Sequence, residues 1–240
     1  MLPILPHDCK AANTSSVPSF TASVQEPGKA PVPGEFAERG LFWWTSQQLA
    51  FLLRPDDEFV SVISKLKTDL RWEAHRPILG IHIRHGDSCS PDQVELKART
   101  CEDLDVYMYH ARNLSLKYGY KSIFLATDDP KMVEATKKYP EFNWLHRPDI
   151  RAMREGLYEY TVLPSEFKMD AINYLTDVFM FADADGLVGK FTSNVARLSV
   201  ALRYGQQRCL YPFVSMDSYW CNDAMKWSGY NPFKKKYFLC

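Results

Sequence analysis

The run Pro77-Ile78-Leu79-Gly80-Ile81-His82-Ile83-Arg84-His85-Gly86-Asp87-Ser88 constrains the fold most, because a β-branched apolar stretch stops abruptly at charge and a glycine. Ile78 to Ile83 reads as a short strand buried on both faces, the kind found inside a parallel sheet. The polar cluster then falls at the strand's carboxyl end, where open α/β sheets place a ligand crevice. Arg84 and Asp87 are candidate floor residues. A guanidinium presents a rigid fork of donors that fits phosphate oxygens two at a time and stays charged at any relevant pH. Asp87 can hold that fork, although the two residues could equally form an ion pair closing a strand end.

Around this strand the pattern alternates. Leu41, Trp44, Leu49, Leu52 and Leu53 make an apolar helical face ended by Arg54-Pro55, and a second helix is expected from Asp57 to Leu70 with Phe59, Val60, Ile63 and Leu66 inward. After the strand, Ser88 to Glu102 is a polar loop long enough to face a substrate. Leu104, Tyr107, Met108, Ala111 and Leu114 recur at helical spacing up to a stop at Gly119. Ser122 to Thr127 is the next strand, and Asp129-Pro130 opens a helix over Lys131 to Tyr139. Phe142 to Leu145 is a third strand, Phe167 to Phe181 an apolar helix, and Gly186 to Phe191 a short strand. Thr192-Ser193-Asn194 then opens a helix that stops at Gly205. Strands alternating with helices give an α/β fold, a parallel sheet in three layers.

Residues 1–38 lack either periodicity and read as a loose leader, 39–75 as a helical lead-in, 76–225 as the α/β domain, and 226–240 as a tail. With 29 basic and 29 acidic side chains the formal charge is zero, which selects neither nucleic acid nor an anionic membrane as partner. No run reaches the roughly twenty apolar residues of a membrane helix, and the first residues do not form a signal peptide.

The cysteines Cys9, Cys89, Cys101, Cys209, Cys221 and Cys240 show no metal-type spacing. Cys89 with Cys101 and Cys209 with Cys221 suit two local disulfides if the protein is luminal; free buried thiols are the other reading. Asn13-Thr14-Ser15 and Asn113-Leu114-Ser115 are glycosylation sequons.

Three further groups carry chemistry. Thr192, Ser193 and Asn194 lie where a strand gives way to a helix, so they either cap it or, with its free amides and dipole, hold an anion. Arg197, one turn on, adds charge or faces solvent. Asp177 sits in a mostly apolar helix and needs a partner, either a ligand donor or a basic side chain elsewhere. Asp128 ends a strand and is a ligand candidate; Asp129 is the helix cap.

His82-Ile83-Arg84-His85-Gly86-Asp87 resembles the His-x-Arg-Arg-x-Asp motif of the α1,6-fucosyltransferase family. Phe42-Trp43-Trp44-Thr45-Ser46-Gln47 with Leu52-Leu53-Arg54-Pro55, Leu125 to Pro130, and Asp183 to Arg197 are similar to further family segments and fall in family order. The resemblance implies the Rossmann-like donor half of a two-domain (GT-B-like) enzyme, a fucosyltransferase acting by inversion from GDP-fucose on a glycan or glycoprotein acceptor, such as an N-glycan core in α1,6 linkage. It implies donor contacts from His82, Arg84, His85, Asp128, Asp177, Ser193, Asn194 and Arg197, with Asp177 reading guanine. Catalytic roles fall on Arg84, Asp87 and Asp92, the last by its count from the motif aspartate; Glu95 is in reserve.

The same resemblance implies no metal, no other cofactor, and a Golgi lumen location; the anchor and the acceptor-side domain are not seen in this sequence. Two family cations are replaced, by His85 and Ser88. The alternatives are a catalytically inactive nucleotide-sugar-binding or interaction fragment and a different α/β enzyme of the phosphate-ester or sulfotransferase kind. The ordered motifs argue against the last.

Overall fold

The computed structural model describes residues 32–86, 89, 100–148, 164–217 and 220. Its strands are β1 (Ile78–Ile83), β2 (Ser122–Thr127), β3 (Asn143–Leu145), β4 (Gly186–Gly189) and β5 (Phe213–Ser215). They form one five-stranded sheet in the order β3-β2-β1-β4-β5. All its pairings are parallel. Strand order therefore reverses between β1 and β4, and that switch point is where a Rossmann-type sheet opens a crevice beyond the strands' carboxyl ends.

Side-chain alternation along the strands divides the core in two. On one face Ile78, Phe124 and Leu187 meet Val178, Phe181, Val200 and Ala201. On the other Leu79, Ile81, Ile83, Ile123 and Leu125 meet Leu104, Tyr107, Met108 and Ala111. The first face is covered by α1 (Gly40–Leu52), α2 (Asp57–Asp69), α5 (Pro164–Asp183) and α6 (Asn194–Gln207), the second by α3 (Leu104–Tyr118) and α4 (Pro130–Ala135). A strand between two helical layers is buried at every position, which is why β1 reads as a continuous apolar run.

Several elements differ from the sequence expectation. In α1 the fully buried residues are Phe42 and Ser46, whereas Leu52 is 72% exposed. Phe42 lies 5.3 Å from the Tyr204 ring and 5.0 Å from that of Trp220, so contact with α6 chooses the buried face. Gly205 does not stop α6, which runs on to Gln207 and closes at Arg208 with φ 58°. Gly205 is there for proximity: a Cβ on it would collide with the Ser46 carbonyl oxygen.

In α2, Ile63 and Leu66, with Leu70 at its C-cap, pack on the core, while Val60 falls off that stripe and is 44% exposed. β4 ends at Gly189, two residues before Phe191, leaving Lys190 beyond the sheet. Gly34–Arg39, at the end of the expected leader, is a 3-10 helix that stacks Phe36 on Trp44 with centroids 5.6 Å apart. As the spacing indicated, α3 ends at Gly119, whose φ of 76° suits the left-handed cap.

At the amino ends of the strands, Arg76 bonds Asp183 (2.6 Å) and Asp185 (3.0 Å), and the Ile78 amide donates to Asp185 at 2.8 Å. Arg203, buried beneath them, donates to the carbonyls of Ala182 (3.0 Å) and Ala184 (2.9 Å). These bonds pin the turn from α5 into β4 to the start of β1. They fix how far α5 stands above the sheet.

Candidate functional site

β1 and β2 run in register, with Ile83 opposite Thr127, so the residues that follow them arrive side by side. Arg84 Nη1 lies 2.9 Å from Asp128 Oδ2. The other carboxylate oxygen of Asp128 accepts the His85 backbone N–H at 2.8 Å. One carboxylate thereby fixes the turn of the chain after β1 and the direction of the guanidinium. The fork-holder among the described residues is Asp128; Asp87, proposed for this task from sequence, lies outside them, as do Asp92, Glu95 and Ser88.

His85 is held from two sides. Its Nδ1 is 3.2 Å from Asp129 Oδ2 and its Nε2 is 3.0 Å from the Glu102 carbonyl oxygen. Both neighbours are hydrogen-bond acceptors, so the ring is held between the Asp129 side chain and the Glu102 backbone. Asp129 also accepts from the Lys131 amide at 2.9 Å, the cap anticipated for the helix at Pro130.

His82, last but one in β1, is buried with its ring centroid 5.9 Å from that of Phe181. Burial, helped by the charge of Arg84, lowers its pKa to about 3, so the ring is neutral near pH 7. Its Nδ1 has no hydrogen-bond partner among the described residues. Phe181 stands on α5 one turn after Asp177, so the two share a face of that helix. The charge of Arg84 reaches that helix: Tyr174 is raised by burial and partly lowered again by Arg84. Asp177 is paired with Arg147 at 3.2 Å, the basic partner that sequence could not locate.

Across the switch point, α6 follows β4 with Ser193 at its N-cap, and the serine hydroxyl makes no capping bond. The Phe191 amide and the Thr192 hydroxyl donate instead to Asp217, which holds the turn from outside. Arg84, His82, Tyr107, Lys190, Thr192 and Ser193 line one crevice, closed on one side by the Cys89–Cys101 disulfide. Tyr107 is raised by burial and by Glu102, Asp217 and Asp128, so its hydroxyl stays protonated. Asn194 and Arg197 lie on the far side of α6: they line a groove with Leu41 and Thr45, and the Arg197 guanidinium sits 5.6 Å from the Trp220 ring centre.

Three crevice residues were missed in the sequence, Thr100, Tyr107 and Lys190, together with Glu102, which pairs with Lys190. Lys190 Nζ contacts the Glu102 carboxylate, the Thr100 carbonyl and, at 3.1 Å, Thr100 Oγ1. Burial would raise the Glu102 carboxyl, but hydrogen bonds from Lys190 and Thr100 outweigh it and hold the group below its usual range. The strand-end rule that nominated Arg84 would have found Lys190 had β4 been ended at Gly189.

The arrangement can bind an anion between a fixed guanidinium and the first turn of a helix. Cys209 is disulfide-bonded, and among the described residues no cysteine is free. Among those residues no group of three His, Cys, Asp or Glu could hold a metal ion, and no helix is long and apolar enough to cross a membrane.

The family model for alpha-(1,6)-fucosyltransferase N- and catalytic domains matches residues 35–219. An alpha-(1,6)-fucosyltransferase of Drosophila melanogaster is 25% identical over 257 residues, covering 96% of this chain and 39% of the relative. Among solved structures, POFUT1 in complex with GDP-fucose aligns with a TM-score of 0.46 at 13% identity, over 72% of this chain and 49% of that one. NodZ alpha-1,6-fucosyltransferase soaked with GDP-fucose aligns with a TM-score of 0.39 at 18% identity, over 62% of this chain and 43% of that one. The chain spans about two fifths of the length of the curated relative.

Proposed function

The chain belongs to the alpha-(1,6)-fucosyltransferase family, and from that premise we propose that its crevice binds the diphosphate of GDP-fucose for transfer of fucose to a glycan acceptor. The observation that carries the reading is the Arg84 guanidinium, held by Asp128 at 2.9 Å and lining the same switch-point crevice as Ser193, the N-cap of α6.

In such a transfer the bond from the sugar's anomeric carbon to the diphosphate oxygen breaks, and charge accumulates on the departing diphosphate. Arg84 meets that charge with two donors in one plane, and the first amides of α6 meet it with the positive end of the helix dipole. Neutral His82 can donate to the nucleotide from one nitrogen and accept at the other. Asp177 is the proposed reader of the guanine edge, exchanging part of its bond with Arg147 for the base's N–H groups. Attack by the acceptor hydroxyl from the opposite face inverts the anomeric centre and requires a base, for which Asp92 and Asp87 are the family-derived candidates. Neutralisation by cationic side chains rather than a metal belongs to the same proposal.

The finer assignment, α1,6 linkage on an N-glycan core in the Golgi lumen, follows the family. The Cys89–Cys101 disulfide supports an oxidising compartment. Incubation with GDP-fucose and an N-glycan-core glycopeptide, followed by GDP release and product linkage, tests the whole reading. Acceptor-dependent GDP release is the expected result. GDP binding without release would favour the alternative of a binding module without catalysis, and failure to bind GDP would overturn the donor site itself.

A further inference from the structure

We propose that Lys190 is a ligand-binding residue of the donor site, a second cation that Glu102 holds in reserve until a diphosphate arrives. The inference rests on the reading of the crevice as a diphosphate site. It starts from charge. A nucleoside diphosphate brings at least two negative charges, whereas among the described residues the two cations lining the crevice, Arg84 and Lys190, are each matched by a carboxylate, Asp128 and Glu102. A neutral crevice attracts such a ligand poorly.

The two pairs are not equivalent. The Asp128 carboxylate is 8% exposed, and its second oxygen is committed to the His85 amide at 2.8 Å, so the Arg84–Asp128 pair is built into the strand ends. Glu102 is more open at 27%, and it lies in the segment that ends the Cys89–Cys101 loop. Its side-chain bond to Lys190 can be given up without disturbing the sheet. β4 and β1 run in register from Leu79–Gly186 to Ile81–Val188, so Lys190 comes level with the end of β1.

An ammonium has three donors, here directed at the Glu102 carboxylate, the Thr100 carbonyl and the Thr100 hydroxyl. Phosphate oxygens would replace the carboxylate while the Thr100 contacts keep Lys190 in place. Lys190 thus adds a positive charge to the crevice that Arg84 also lines.

Titration of the full chain with GDP and with guanosine separates this role from a structural one. Lys190→Met is expected to weaken GDP on the order of tenfold or more, leave guanosine binding within about twofold, and flatten the dependence of GDP affinity on salt. Glu102→Gln removes the competing carboxylate and is expected to tighten GDP severalfold. If Lys190 and Glu102 were only a strap for the disulfide-closed segment, both variants would weaken GDP and guanosine alike. That result, or GDP binding by Lys190→Met equal to wild type, overturns the proposal. Wild-type protein that binds no GDP would instead remove the donor-site reading on which it rests.

Discussion

The Arg84 guanidinium and the Asp128 carboxylate meet at 2.9 Å across the carboxyl ends of β1 and β2, two strands whose register brings those positions level. Asp128 also fixes the chain at His85, and Arg84 lines the crevice. Arg84→Lys keeps the charge and loses the planar fork. It is predicted to lower fucosyl transfer nearly as much as Arg84→Ala, by on the order of 3 kcal/mol, roughly a hundredfold. Acceptor-dependent GDP release at neutral pH measures this. An Arg84→Lys protein with most of its rate would reduce Arg84 to a strand-end ion pair.

Asp177 offers a test of base recognition. It pairs with Arg147 at 3.2 Å and stands one helical turn before Phe181, whose ring packs on His82. Asp177→Asn removes an acceptor for the guanine N–H groups and is predicted to weaken GDP more than UDP. Equal losses for both nucleotides would assign Asp177 to the ion pair alone.

His82 makes stability depend on pH. Its pKa is about 3 in the folded chain against 6.5 for a free side chain, so between those values the unfolded chain binds more protons. Stability contributed by the neutral ring is present above pH 6.5 and is lost as the pH falls toward 3. The expected loss from this group is about 2 kcal/mol between pH 7 and pH 5. His82→Phe, which can still pack against Phe181, should unfold in urea with a smaller acid dependence by that amount. Parallel pH profiles for the two proteins would contradict the assignment.

Part of this site was legible in the sequence because one rule holds at β1 and β2: a polar residue follows the buried apolar run at the carboxyl end of the strand, where a parallel sheet opens its crevice. Arg84 and Asp128 both follow from it. Lys190 escaped because Gly186 to Phe191 looked like one strand, and only pairing with β5 through Gly189 shows where the ladder ends. Arg147 was invisible as the partner of Asp177, since an ion pair between a loop and a helix has no periodic signature. The face of α1 was read only in part for a similar reason: Leu49 and Leu53 do pack on the core, but Leu52 is exposed and Phe42 is the buried aromatic. Phe42, Trp43 and Trp44 are consecutive aromatics, and the choice among them is made by Tyr204, Gly205 and Trp220, far along the chain.

Gly205 gives a test of that packing. In an isolated helix Gly→Ala stabilises by about 1 kcal/mol. Here the new methyl group would meet the Ser46 carbonyl, part of the α1 backbone, which cannot rotate away. Overpacking of this kind costs roughly 1–3 kcal/mol, and against rigid backbone the upper end applies. Gly205→Ala is therefore predicted to lower the urea midpoint. A raised midpoint would show that α1 and α6 are not in contact at this point.

The donor site is tested most directly by isothermal calorimetry with GDP on the wild-type chain and on Arg84→Ala. The account predicts saturable GDP binding by the wild type, weakened at least tenfold by the substitution, while both proteins unfold at similar urea concentrations. Absence of heat with wild-type protein at millimolar GDP, or equal affinity in the two proteins, would contradict it.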